Sequence, residues 1–408
     1  MRTQEAIGHV DADSFYVSAE RIRNSLLIKK PVGVLGNQGA CVIAKSYEMK
    51  AFGVKTGEPI WEAAVKCPNG IYVKRDFRWY EILSRMMHVI IKEYSPLVEY
   101  YSIDEFFFSA VPLPGKTLQE TAEAIRSRIW QEIRVPVTVG ISHTKTQAKL
   151  ISDSAKPFGA SAVLDDEAMT ALLDSQPVTE ISGISSRRAA RLLPWNIRTC
   201  LDLARADRRL IRPLLTASGE ALWWELRGET VLPILTQRTR HKILSRGGSL
   251  GKSVDSPQVL WAWFIRNLER LIEEVEFHDV CVGKFTVWVA YRNGQAGKGI
   301  ARLQAPSQDF DTLLDVGRKC VREAWLPKQS PMKMQVVAEQ LVRRCDAQPG
   351  LFTQPDERAE ILARVKREIN QRHGRFAIRS GTALFLPEIY RDPANGYDIC
   401  DIRGKMCF

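Results

Sequence analysis

The 408-residue chain contains no apolar run of about 18 residues, so no membrane-spanning helix is expected. Its N-terminus, "MRTQEAIGHVD", has a single Arg and reaches acidic residues too early for a secretory signal, which points to a cytoplasmic location. No CxxC pair occurs among the eight cysteines, which are scattered from Cys41 to Cys407; neither a zinc knuckle nor a disulfide framework is suggested, and reduced thiols are expected. No internal repeat is present, and acidic residues are in deficit: 47 against 58 Lys and Arg, a formal charge of +11. Such a balance favours a polyanionic partner, nucleic acid first. With 45% apolar and 26% charged residues, the remaining composition is that of a soluble globular protein long enough for several domains.

The first 165 residues alternate strand and helix patterns. The apolar stretch "AIGHV" runs into Asp11 and Asp13, and a helix pattern "SFYVSAERIR" follows. Strands "PVGVL" and "CVIA" lead to a helix "KSYEMKAFG". The stretch "RDFRWYEILSRMMHVIIKEYS" spaces Tyr80, Leu83, Met87, Ile90 and Ile91 as an amphipathic helix does. "LVEYYSIDEFFFSAV" reads as two strands meeting at an acidic turn, and a helix "TLQETAEAIRSRIWQEI", a strand "VPVTVGIS" and a helix "KTQAKLISDSAKPFG" complete the region. This order suits a mixed sheet with helices on one face. Beyond residue 165 short Arg-rich helices predict a small helical domain. "TQRTRHKILSRGGSLGK", with Arg240, Lys242 and Arg246 and no acid, reads as an exposed basic linker. From 249 to 343, two helices alternate with strands "KFTVWVAYRN" and "KMQVVAEQLV", a second α+β module.

Carboxylates at the end of a buried strand are costly unless something positive meets them, commonly a divalent metal. Asp11 ends the first strand, and Asp104 and Glu105 lie in a strand pair further on; a sheet that joins them would gather three carboxylates, as two Mg²⁺ ions require to hold a triphosphate. The bland alternative is that both motifs are solvated strand ends.

Taken together, "HVDADSFYVSAE", "CVIAKSYEMKAFGVKTGEPI", "YYSIDEFFF", "VPVTVGIS", "KTQAKLISDSAKPFG" and "ISGISSRRAARL" resemble the Y-family translesion DNA polymerases, in order and spacing, over roughly residues 5 to 345. The resemblance implies a multidomain α+β right-hand fold. Its palm, with a mixed sheet, would take residues 1–20 and 76–165, and small fingers 21–75. A helical thumb would follow over 166–235, a basic linker over 236–248, an α+β little finger domain over 249–343 and a tail over 344–408. It implies Asp11, Asp104 and Glu105 as catalytic metal carboxylates, aided by the Ala12 carbonyl, with two Mg²⁺ ions for which Mn²⁺ could substitute. Tyr47, Lys50 and Lys156 would hold the incoming triphosphate, although the family usually has Arg where this chain has Lys50. Phe15 and Tyr16 would enter the nucleotide pocket, Tyr16 as the steric gate that rejects a 2′-hydroxyl; core packing is the alternative for Phe15. Gly183 and Ser185 would form a helix-hairpin-helix turn on the DNA backbone, where the family often has a second Gly at Ser185. Arg187, Arg188, Arg240, Lys242 and Arg246 would track phosphates. "QPGLF", with Gln348, Leu351 and Phe352, resembles a peptide that docks on the sliding clamp. The implied protein is a monomer that acts on primer-template DNA and dNTPs as a low-fidelity polymerase. The competing readings are a catalytically silent scaffold for DNA and clamp and, more distantly, a nucleotide cyclase built on a similar palm.

Overall fold

The computed structural model describes residues 6–36, 41–237, 240–250, 254, 256–347, 357–374, 376–384 and 386. The chain divides near residue 238 into two compact units. The first holds eight strands among its described residues: β1 (Ala6–Ala12), β2 (Val32–Leu35), β3 (Val42–Lys45), β4 (Ile71–Lys74), β5 (Val98–Tyr100), β6 (Glu105–Ala110), β7 (Val137–Ser142) and β8 (Ala160–Ala162). Five form a mixed sheet in the order β5-β6-β1-β7-β8, in which only β7 and β8 run parallel; β3-β2-β4 make a second, small sheet.

The helices of this unit are α1 (Phe15–Arg23), α2 (Tyr47–Ala51), α3 (Ile60–Lys66), α4 (Phe77–Tyr94), α5 (Leu118–Ile133), α6 (Lys145–Ser154), α7 (Asp166–Ser175), α8 (Ser186–Leu192), α9 (Cys200–Arg205) and α10 (Arg208–Leu226). Period-2 alternation along β1, β6 and β7 sends Val10, Phe106, Phe108, Val139 and Ile141 to one face of the large sheet. There they pack with Tyr80, Leu83 and Met87 of α4 and Ile125 and Ile129 of α5. A capping box at Thr117 and Glu120 starts α5, and Asp76 caps α4. The expectation of helices on one face is corrected, because α6 packs on the other. Gly140 permits this: a Cβ there would lie 2.3 Å from the Ala148 carbonyl oxygen and 2.5 Å from the Ser152 nitrogen. The short helix α3 and strands β4 and β8 carry too few residues to show a period and were not foreseen.

The second unit has a four-stranded antiparallel sheet, β11-β10-β12-β9, made of β9 (Ile243–Ser249), β10 (Val280–Tyr291), β11 (Ala296–Ser307) and β12 (Pro331–Arg343). Helices α11 (Pro257–Phe277) and α12 (Phe310–Ala324) cover one face around Phe264, Phe285 and Leu268, and α13 (Glu357–His373) follows. One expectation changes here, and one strand is added. The second half of the supposed basic linker is β9, which pairs with β12 from Ile243↔Glu339 to Ser249↔Lys333. The Gly-rich stretch "AGKGIARLQAPS" is strand β11, where Gly297 and Gly299 admit the backbone of α12 within about 2 Å of where a Cβ would stand.

Candidate polymerase active site

The site grows from one strand pairing. The antiparallel register of β1 and β6 sets Asp11 opposite Glu105, and the Ala12 N–H donates to the Asp104 carbonyl at 2.9 Å, so Asp104 lies beside Ala12. Asp11 and Glu105 therefore face each other at one end of the sheet, with Asp104 next to Glu105 in the chain. Burial raises Asp11 to about 7, outweighing the attraction of Lys156, and burial also raises Asp104. Such carboxyls are poised to accept a cation. Ser102 turns its hydroxyl to both Asp104 and Glu105.

Just inside the cluster lies His9, fully buried and on the same strand face as Asp11. Its Nδ1 shares a hydrogen bond of 2.7 Å with Ser152 Oγ, which also donates to the Lys149 carbonyl at 2.8 Å. The other ring nitrogen, Nε2, faces Glu105 Oε1 at 3.8 Å and has no hydrogen-bond partner among the described residues. Burial, then Lys149 and Lys156, keep this imidazole neutral by lowering its pKa well below the ordinary value. His9, Asp11 and Glu105 offer ligand atoms that all lie within 4.8 Å of one another. The buried carboxylate oxygens suit a hard divalent ion, whereas the His9 nitrogen is a ligand that such ions take less readily.

Two lysines from and after α6 supply the positive charge. Lys156 Nζ contacts Asp11 Oδ2 at 2.7 Å and Asp153 Oδ1 at 2.8 Å, and Lys149 pairs with Glu105. Burial opposes the charge on both, but the carboxylates win and hold both ammonium groups above their ordinary pKa. The sequence assigns Lys156 to the triphosphate and gives no role to His9, Lys149 or Asp153. The available signal was helical spacing, since Lys149 and Asp153 lie one turn apart in "KTQAKLISDSAKPFG".

Asp13 is 2% exposed and acts as a strut. Its carboxylate accepts from Thr138 Oγ1 at 3.1 Å, from the Phe158 N–H at 2.8 Å and from the Tyr47 hydroxyl at 3.5 Å. It thereby ties α2, which carries Tyr47 and the exposed Lys50, to the loop that follows Lys156. Burial, with Asp13 next, pushes the Tyr47 phenol up to about 12, so it stays a hydrogen-bond donor.

Ser14 takes a left-handed conformation (φ 46°) and turns the chain from β1 into α1. This turn splits the aromatic pair. Phe15 is 3% exposed in the sheet core, which corrects its assignment to the nucleotide pocket; Tyr16 is half-buried, stacked on Tyr80 with centroids 4.6 Å apart and met edge-on by Phe77 at 5.5 Å. Packing from behind makes Tyr16 a stiff wall.

Of the expected DNA contacts, Gly183 (φ +95°) and Ser185 lie exposed in the turn before α8, with Arg187 exposed on its first turn. Arg188 is partly engaged, donating to the Gly183 carbonyl at 2.9 Å and to Ser218 Oγ at 3.1 Å. Arg240 and Lys242 are exposed. Arg246 is not: its side chain is 12% exposed and pairs with buried Glu274, which corrects its assignment to DNA. Gln348, Leu351 and Phe352 lie outside the described residues.

The impB/mucB/samB family model matches residues 10–153, and the model for the C-terminal domain of that family matches residues 241–351. The chain belongs to this family. It is 29% identical over 388 residues to DNA polymerase IV of Bacillus velezensis, covering 93% of each chain, and 33% identical over 227 residues to DNA polymerase IV of Actinobacillus pleuropneumoniae, covering 55% of this chain and 64% of that one. Among solved structures, a Y-family DNA polymerase chimera of Dbh and Dpo4 aligns with a TM-score of 0.69 at 20% identity, over 83% of this chain and 99% of the other. DinB from Sulfolobus solfataricus aligns at 0.52 and 21%, with the same coverage. These likenesses show the multidomain fold that the resemblance implied.

Proposed function

We infer that the protein is a template-directed DNA polymerase that performs low-fidelity translesion synthesis, transferring nucleotides from dNTPs to a primer 3′-hydroxyl. The observation that carries this reading is the register that faces Asp11 with Glu105 and sets Asp104 beside them, in a chain of this family. The enzyme depends on divalent metal; we assign two Mg²⁺ ions, with Mn²⁺ as substitute, to Asp11, Asp104, Glu105 and the Ala12 carbonyl. When bound, they supply the charge that lowers the pKa of the attacking hydroxyl and neutralises the departing pyrophosphate.

The chain's own residues then do the positioning. Glu105 aligns the primer hydroxyl. Tyr47 and Lys156, linked through Asp13 and the Phe158 backbone, hold the triphosphate together with Lys50, whose ammonium offers charge without the planar fork of Arg. Tyr16 excludes the 2′-hydroxyl because its ring is backed by Tyr80 and Phe77 and has nowhere to move.

We assign the palm to residues 1–20 and 76–165, the fingers to 21–75, the helical thumb to 166–235 and the little finger to the sheet unit, starting at Ile243 and not at 249. The thumb turn at Gly183 and Ser185, with Arg187, Arg188, Arg240 and Lys242, meets DNA phosphates without reading sequence. Gln348, Leu351 and Phe352 are proposed to dock on a sliding clamp, and the protein is proposed to work as a cytoplasmic monomer. Among the described residues no helix is long and apolar enough to cross a membrane.

Primer extension on primed template tests the reading. Extension that requires Mg²⁺, vanishes in Asp104→Ala/Glu105→Ala and admits ribonucleotides in Tyr16→Ala is expected. Wild type that binds primed DNA and adds nothing would replace this reading with the silent scaffold.

A further inference from the structure

Lys149 and Asp153 meet the carboxylate cluster without an assigned role. Lys149 Nζ pairs with Glu105 Oε1 and lies 3.9 Å from both Asp11 Oδ2 and Asp153 Oδ2. Asp153 also takes Lys156 at 2.8 Å, while Lys156 holds Asp11 at 2.7 Å. Each lysine is thus shared between a carboxylate assigned to metal and the single acceptor Asp153. The Lys149 and Asp153 side chains are 15% and 29% exposed, so their charges act through a medium that screens less than water.

An ammonium and a divalent ion cannot share Glu105 Oε1, so any ion that gains this oxygen must displace Lys149. Asp153 is one helical turn along α6, already within 3.9 Å, and the four-carbon lysine stem swings there without moving the backbone. We propose that Lys149 and Asp153 form an exchange pair that sets the metal affinity of the polymerase site: Lys149 competes with the ion for Glu105 and Asp11, and Asp153 receives its ammonium when the ion wins. The proposal rests on the polymerase reading of the carboxylates. Lys149 is a positioning residue in this scheme. It keeps the carboxylates from trapping a lone ion, so that tight binding awaits the negative charge of the triphosphate.

The two partners should act with opposite signs. The test measures Mn²⁺ alone, by the electron paramagnetic resonance signal of the free ion, on the full chain without DNA or nucleotide. Removing the competing cation in Lys149→Met should tighten binding about tenfold, the scale of one buried charge pair. Lys149→Gln, which keeps a hydrogen-bonding head for Glu105, should shift in the same direction and guards against misfolding of the first variant. Asp153→Asn should weaken binding several-fold, and in the Lys149→Met background that loss should fall to less than half. Weakening by both Lys149 variants overturns the exchange, because it marks the lysine as mere scaffolding. An Asp153→Asn loss of undiminished size in the double variant also overturns it, because Asp153 would then act on the ion directly or through Lys156 and not through Lys149. Wild-type Mn²⁺ binding that Asp11→Ala leaves unchanged overturns both the exchange and the metal site.

Discussion

Replacing Arg246 by Met would separate a structural charge from a DNA contact. Arg246 stands on β9 with its side chain 12% exposed, and its partner Glu274 on α11 is 2% exposed. Removing the guanidinium takes the Arg246 charge away from a buried carboxylate, whose other oxygen lies 3.7 Å from His278 Nε2. Breaking such a buried pair from one side costs about 3–5 kcal/mol. In a unit of this size each kcal/mol is worth roughly 2–4 °C, so the melting transition of the second unit should fall by roughly 10 °C in differential scanning calorimetry. Arg246→Met/Glu274→Gln should recover most of the loss, since no charge is then stranded. DNA affinity at a temperature where both proteins are folded should keep its salt slope, whereas removing a phosphate contact lowers that slope by about one. A variant that melts like wild type and loses a unit of slope would refute this reasoning and return Arg246 to the DNA interface.

Asp13→Asn should raise the KM for dNTP several-fold with a smaller change in kcat, because it loosens the strut between Tyr47 and the loop after Lys156; steady-state extension checks this, and an unchanged KM counts against the strut. Gly140→Ala should destabilise the first unit by about 1–3 kcal/mol in urea, because its Cβ would strike α6 backbone that cannot yield. Burial raises Asp11 from 3.8 to about 7, so without added metal the folded chain keeps a proton that the unfolded chain has released, and stability from this group falls as pH rises between those values. Mg²⁺ should therefore raise the melting temperature more at about pH 8 than at about pH 6, and equal increments would argue against a buried, proton-competing site. Arg187→Ala should weaken binding to duplexes of different sequence alike and lower the salt slope by about one.

The carboxylate site was largely legible in the sequence because its parts are local patterns. A β-rich stretch that stops at Asp11 and another that starts at Glu105 mark strand ends, and period-2 alternation decides which side chains share a face. The offset from Asp11 to Tyr16 is one strand end, one turn and the first turn of a helix. Sequence patterns therefore placed Asp11 and Glu105 at strand ends, and the resemblance of the motifs pointed to the family. Tertiary structure decided what stands opposite each residue. The β1–β6 register made His9 a neighbour of Glu105, and Gly140 lets α6 lie on that face of the sheet, which covers His9 and brings Lys149 and Asp153 to the site. Phe15 went to the core while Tyr16 stayed half-buried against Tyr80 and Phe77, because Ser14 turns the chain left-handed between strand and helix. Arg246 read as solvated charge in a Gly-rich basic run, yet an acid 28 positions away on α11 claims it. Periodicity names the face a side chain occupies, whereas charge pairing and packing depend on elements far apart in the chain, and only the folded backbone brings those together.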